Sequence, residues 1–171
     1  TISHNLGSVP ACIMVKCLDD DLAWAVYHRS LANTEYLVLN STAAKATGAT
    51  WWNSTTPTST VFSLGTDTTV NGSAKTYVAY LFAHNSGGFG LTGADNAISC
   101  GTFTTDGSGK AAVNLGYEAQ WLLMKATDES SWLLFDNMRN WSKNGYDELN
   151  PNLSSSEGNS ASTNFSPTAT G

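Results

Sequence analysis

The chain has 171 residues, enough for one domain or two small ones, and at this size about 70% of the unfolded surface can be buried. Charged residues make up only 13% while Ser, Thr, Asn and Gly are plentiful, a balance typical of β-rich proteins with an uncharged polar surface and unlike that of a helical bundle. The net charge of −6, with 8 scattered Lys and Arg, argues against a nucleic acid partner or an anionic membrane surface, and no apolar run approaches the ~18 residues of a membrane span.

The first strong signal is "LGSVPACIMVKCLDDDLAWAVYHR", residues 6–29. It has the grammar of a β-hairpin: an apolar strand over 11–16, an acidic turn at Asp19, Asp20 and Asp21, and a strand over 24–28 led by Trp24. Cys12 and Cys17 lie five apart on one strand, so they point to opposite faces and do not pair with each other. With Cys100 they read as buried free thiols, since the chain has neither a CxxC motif nor zinc spacing. The three aspartates are weak calcium candidates, because acidic hairpin turns are common for solvation alone and the spacing is not that of an EF-hand.

Residues 41–47, "STAAKAT", are the best short helix candidate, and Trp51 and Trp52 follow in an expected loop. An Asn71-Gly72 turn then leads into a strand over 76–84, where Tyr77, Val78, Tyr80, Leu81 and Phe82 are apolar on both faces. That pattern suits a central strand packed on two sides. Residues 85–96, "NSGGFGLTGADN", form a glycine-dense linker, followed by a strand over 98–104 and a "DGSGK" turn.

Residues 115–139, "LGYEAQWLLMKATDESSWLLFDNMR", restate the first hairpin. Leu6 falls on Leu115 and Lys16 on Lys125; one residue is then lost in the turn, so Trp24 falls on Trp132 and Tyr27 on Phe135. Further on, "LVLNST" from Leu37 resembles "LNPNLS" from Leu149, and "PTST" from Pro57 resembles "PTAT" from Pro167. The second copy stops where the 76–84 strand would begin, so the sequence reads as a truncated piece of a longer polypeptide. The expected fold is all-β and β-sandwich-like, with two internally repeated units and little helix: 1–84 the first repeat, 85–110 linker and connecting strand, 111–171 the second repeat.

Catalytic signatures are missing: no nucleophile elbow, P-loop or zinc-protease motif occurs, and "GSGK" at 107–110 lacks the flanks of a phosphate cradle. His4, His28 and His84 share no sequence pattern and read as structural or surface residues. No catalytic residue and no cofactor is expected. Six tryptophans stand out, because flat rings stack on sugar faces; Trp24 and Trp132, at matched positions, suit a core role. Trp51, Trp52 and Trp141, in expected loops, are the candidates for sugar stacking.

Over residues 4–65, "HNLGSVPACIMVKCLDDDLAWAVYHRSLANTEYLVLNSTAAKATGATWWNSTTPTSTVFSLG", and again at 73–84, "LGYEAQWLLMK" and "SPTATG", the chain resembles a β-domain family of marine tailed-bacteriophage tail-fibre and virion structural proteins. That module commonly lies beside concanavalin-like lectin domains, with a strand-forming tail beyond the "SPTATG" position. The resemblance implies a virion structural or host-attachment role at the particle surface. It further implies a homo-oligomer whose partners are copies of itself or other virion proteins, and a host cell-surface glycan as a further partner. It brings no catalytic residues, and Cys12 and Cys17 depart from it at positions usually small or polar. The alternative is a carbohydrate-binding module or part of a tail-associated depolymerase, which needs carboxylates about 5–10 Å apart in a tryptophan-lined groove.

Overall fold

Two units, Thr1–Gly101 and Thr102–Gly171, divide the chain in a computed structural model that describes residues 1–142, 145–160 and 166–170. The first unit runs β1 (Ile2–Ser3), β2 (Pro10–Cys17), β3 (Ala25–His28), β4 (Glu35–Val38), β5 (Ala46–Thr47), α1 (Ala49–Trp52), β6 (Val61–Phe62), α2 (Thr68–Asn71) and β7 (Tyr77–Ala83). The second runs β8 (Trp121–Met124), β9 (Leu133–Asp136), a 3-10 turn (Asn137–Arg139), β10 (Tyr146–Glu148) and β11 (Gly158–Ser160). The fold is all-β, and among the described residues no helix is long and apolar enough to cross a membrane.

Alternation in β2 sets the core of the first unit: Ala11, Ile13, Val15 and Cys17 are buried on one face, while Cys12, Met14 and Lys16 face outward and are less covered. The antiparallel sheet has the order β5-β4-β3-β2-β7, and β1 and β6 form a separate ribbon. Ile13, Val15, Ala25 and Tyr27 pack against a layer made by Trp51, Trp52, Phe62 and Val70. Tyr27 meets Trp52 edge-on at 5.7 Å and Tyr36 stacks on Trp51 at 3.6 Å, so the two helical turns are held by aromatic packing rather than by their own length.

The acidic turn ties the first hairpin to β7. Leu18 N–H donates to the Thr76 carbonyl at 2.9 Å, the Asp19 carboxylate accepts from Thr76 N–H, and Lys75 Nζ lies 2.8 Å from Asp20. These carboxylates are engaged in fold contacts, and no group of three or more His, Cys, Asp or Glu among the described residues could hold a metal ion. Of the weak calcium candidates, Asp19 and Asp20 are thus held by Thr76 and Lys75.

Pairing in the second unit repeats that of the first. Cys12↔His28, Ile13↔Tyr27, Met14↔Val26 and Val15↔Ala25 correspond to Trp121↔Asp136, Leu122↔Phe135, Leu123↔Leu134 and Met124↔Leu133. The next strand follows suit, with Val26↔Leu37 matched by Leu134↔Leu149. So does the one after it, where Glu35↔Thr47 and Tyr36↔Ala46 are matched by Asp147↔Asn159 and Glu148↔Gly158. Lys16 and Lys125 both reach a carbonyl of their own acidic turn, on Asp20 at 3.1 Å and on Asp128 at 2.7 Å. Gly7 and Gly116, at φ +75° and +80°, make the same left-handed step before the hairpin.

Side-chain closure is shared as well. Trp24 N–H donates to Asn40 Oδ1 and Trp132 N–H to Asn152 Oδ1, each at 2.9 Å. Leu39 N–H returns to the Trp24 carbonyl at 3.1 Å; the matching residue is Pro151, which has no N–H, and Asn150 Nδ2 supplies that bond to the Trp132 carbonyl at 3.0 Å. Asn40→Ala is expected to lower stability by about 1 kcal/mol and Asn40→Asp, which keeps the acceptor, by less, measured by urea denaturation. Equal losses for both would remove the acceptor role.

Several local expectations change in the folded chain. Residues 41–47 form no helix and end in β5; the helical turns are α1 and α2, the latter capped by Asp67, whose side chain accepts from Thr69 N–H at 2.9 Å. Asn71 closes α2 and Gly72 has φ −70°, so the pair makes no hairpin turn. Residues 98–104 form no strand, and the boundary between units, after Gly101, falls inside the expected 85–110 linker. The glycine-dense segment belongs to the first unit and is closed on itself by Asn85 N–H to the Ile98 carbonyl and a Phe89↔Asp95 bridge. The end of the second repeat, residues 161–165 and 171, lies outside the described residues.

Candidate functional site

The three tryptophans expected to stack on sugar are core residues. Trp51, Trp52 and Trp141 are 8%, 1% and 6% exposed, and a ring covered on both faces offers none to a ligand. Loop-like sequence around them is misleading because each is gripped by another aromatic: Trp51 by Tyr36, Trp52 by Tyr27 and Trp141 by Phe135 at 6.0 Å. Trp132 is likewise buried.

Accessible aromatic surface lies elsewhere, on the outer face of the five-stranded sheet. Trp24, half-buried, stacks on Tyr80 at 6.3 Å with 21° between the rings, and Tyr80 is 49% exposed. Trp121, which occupies the second-unit position of Cys12, is exposed on β8. Parity along β3 places Trp24 on the face of Val26 and His28, a signal that was legible in the sequence but outweighed by the matched Trp132.

At the other end of that outer face the sheet collects thiols and imidazoles. Register sets Cys12 between His28 on β3 and Phe82 on β7. His84 lies just beyond β7, and its Nδ1 accepts the backbone N–H of Cys100 at 3.1 Å, bringing the segment after the glycine-rich loop over the sheet. His28 Nδ1 accepts Ser30 N–H at 3.2 Å. Both imidazoles, when neutral, therefore carry their proton on Nε2.

Burial sets the charge state of this cluster. It pushes the Cys12 thiol up to about 12, with Cys100 nearby adding to the rise, and it pushes Cys100 up as well. It lowers His28, helped by Arg29 and His84, and lowers His84, helped by Arg29. All four groups are neutral at pH 7, whereas a Cys-His nucleophile requires the thiolate.

Carboxylates elsewhere serve structure. Arg139 bridges Asp136 and Glu157, the latter at 3.2 Å, and its hydrogen bond holds the Asp136 carboxyl below the usual range, the opposite of what a general acid needs. Asp106 caps the "DGSGK" turn by accepting from Lys110 and Ser108 N–H at 2.9 and 2.8 Å, which lowers its pKa. Glu35 pairs with Lys45 on the surface.

Compared with known families, the chain matches over residues 1–171 a family described as a domain of unknown function, DUF7483. No curated protein and no solved structure matches it.

Proposed function

We propose that this chain, which belongs to the DUF7483 family over residues 1–171, is a non-enzymatic structural and adhesive module of a bacteriophage virion, a tail fibre or related host-attachment protein at the particle surface. The observation that carries this reading is the correspondence in register between the strand pairs β2–β3 and β4–β5 of the first unit and β8–β9 and β10–β11 of the second. Duplicating a sheet unit lengthens a rigid spacer and repeats a contact surface, which raises avidity when copies are clustered. Neutral thiols and imidazoles, together with carboxylates held in turns and ion pairs, support a role without catalysis. Partners on this reading are further copies of the chain, other virion proteins and a host cell-surface glycan.

The test is mass spectrometry of gradient-purified particles from a strain encoding the chain. The protein should band with the particles, and antibody against it should slow adsorption to host cells. Its presence in infected-cell lysate but absence from particles would sink the proposal.

A carbohydrate-binding module is the second reading, favoured by one observation, the accessible Trp24–Tyr80 pair. On a glycan array, Trp24→Ala should weaken any binding at least about tenfold, the scale of a lost aromatic stack. Unchanged binding would place the contact elsewhere. Release of reducing ends from host polysaccharide would instead favour the depolymerase alternative.

A further inference from the structure

Cysteine placement in the first unit is not part of the repeated plan. Trp121 stands in the second unit where Cys12 stands in the first, so the hairpin register does not itself call for a thiol there. Strand parity separates the two cysteines of β2. Cys17 is buried on the core face, beside Tyr77, while Cys12 faces outward between His28 and Phe82.

Hydrogen bonds bring Cys100 to that same outer face. Asn85 N–H donates to the Ile98 carbonyl at 2.9 Å, Ser99 Oγ–H donates to Asn85 Oδ1, and Cys100 N–H donates to His84 Nδ1 at 3.1 Å. Residues 98–100 thus run beside 84–85, the continuation of β7. His84 lies two residues beyond Phe82 and shares its face, which is the face of Cys12. Cys12 is fixed in the sheet with a strand on each side, whereas Cys100 stands on irregular backbone that can adjust to the geometry a disulfide requires. The charge coupling by which Cys100 raises the Cys12 pKa agrees with this closeness.

We propose that Cys12 and Cys100, free thiols in this structure, form a reversible disulfide that latches the end of the glycine-rich segment onto β2. The oxidant is a low-molecular-weight disulfide. Cys100 opens the exchange, because the Arg29 cation favours its thiolate, whereas Cys12 is pushed up by both burial and Cys100. Cys100 Sγ attacks one sulfur of the oxidant, forming a mixed disulfide and expelling one small thiolate. Cys12 Sγ then attacks Cys100 Sγ, the Cys12–Cys100 bond forms, and the second small thiolate leaves. Two electrons pass from the cysteine pair to the oxidant, and the two thiol protons end on the released thiols. The bond closes a long loop, from β2 to beyond β7, so it restricts the unfolded chain and stabilises the first unit. A reducing cell interior holds the latch open and an oxidising exterior closes it. Only that timing rests on the virion reading; the bond rests on the shared face, so a failed particle assay leaves it standing.

The test oxidises the whole reduced chain with glutathione disulfide at about pH 8 in native buffer, then labels the remaining thiols with iodoacetamide in denaturant. Digestion without reductant should yield a peptide pair joining Cys12 to Cys100, with Cys17 alkylated, and the intact chain should run as a monomer on a non-reducing gel. Dithiothreitol should undo the link. The oxidised chain should melt about 5 °C or more above the reduced one. Cys12→Ser should stop the reaction at a glutathione adduct on Cys100, and Cys100→Ser should take up several-fold less glutathione. The linked peptide is read on the wild-type chain and does not depend on either variant folding. Absence of the Cys12–Cys100 peptide from the natively oxidised chain overturns the proposal. So does a link that joins two chains or uses Cys17, or one that lowers the melting temperature.

Discussion

Gly65→Ala is expected to destabilise the first unit by about 3 kcal/mol or more, on the scale of losing a buried aromatic side chain. A Cβ built at Gly65 would lie 2.0 Å from the Thr50 carbonyl oxygen and 2.4 Å from its carbon, both backbone atoms of α1. Gly65 N–H also donates to the Trp51 carbonyl at 2.9 Å, and Asp67 N–H to that of Thr50 at 3.1 Å, so this segment clamps the helical turn on the core. A methyl group must push α1 away, and α1 carries Trp51 and Trp52 against Tyr36 and Tyr27. The matched control is Gly101→Ala, where nothing lies within 4 Å and the change should be within about 0.5 kcal/mol. Urea denaturation followed by tryptophan fluorescence measures both. A Gly65→Ala loss below about 1 kcal/mol would mean that α1 shifts easily and that its packing is not what fixes the core.

Cys12 should resist alkylation by about three orders of magnitude. With its thiol pushed up to about 12, the reactive thiolate at pH 8 is about one part in ten thousand, against roughly a fifth for an ordinary cysteine. Iodoacetamide labelling at pH 8, read by peptide mass spectrometry in native buffer and in denaturant, gives the ratio directly. Labelling of native Cys12 at half the denatured rate would show that the thiol is not held as described. The same shift has a stability consequence: an acid whose folded pKa is raised opposes ionisation in the native state. Its contribution is complete below the unfolded value near 9 and is lost as pH rises toward about 12, so alkaline unfolding should set in across that window. Replacing Cys12 with Ser should flatten that part of the profile.

Local pattern was enough for the hairpins. Alternation over 11–16 placed Cys12 and Cys17 on opposite faces, and the strand–acidic turn–strand pattern of 6–29 and of 115–139 anticipated the β2–β3 and β8–β9 pairs. Strand 76–84 was legible as a strand for the same reason, but its place was not. Two apolar faces predicted a central position, whereas β7 is terminal in its sheet, because burial of its faces says nothing about whether a second strand exists to pair with its edge.

Hairpin registers and the acidic turn were determined by the sequence itself, because each depends on residues within about thirty positions of one another, where period and spacing suffice. Tertiary structure alone decided that Trp51, Trp52 and Trp141 are core while Trp24 and Tyr80 are accessible, that Asp19 and Asp20 anchor β7, and that Cys12, His28, His84 and Cys100 share one face. Those outcomes depend on which strands become neighbours and which segments cover them. Burial and pairing over such separations are properties of the assembled layers, with no local signature in the chain.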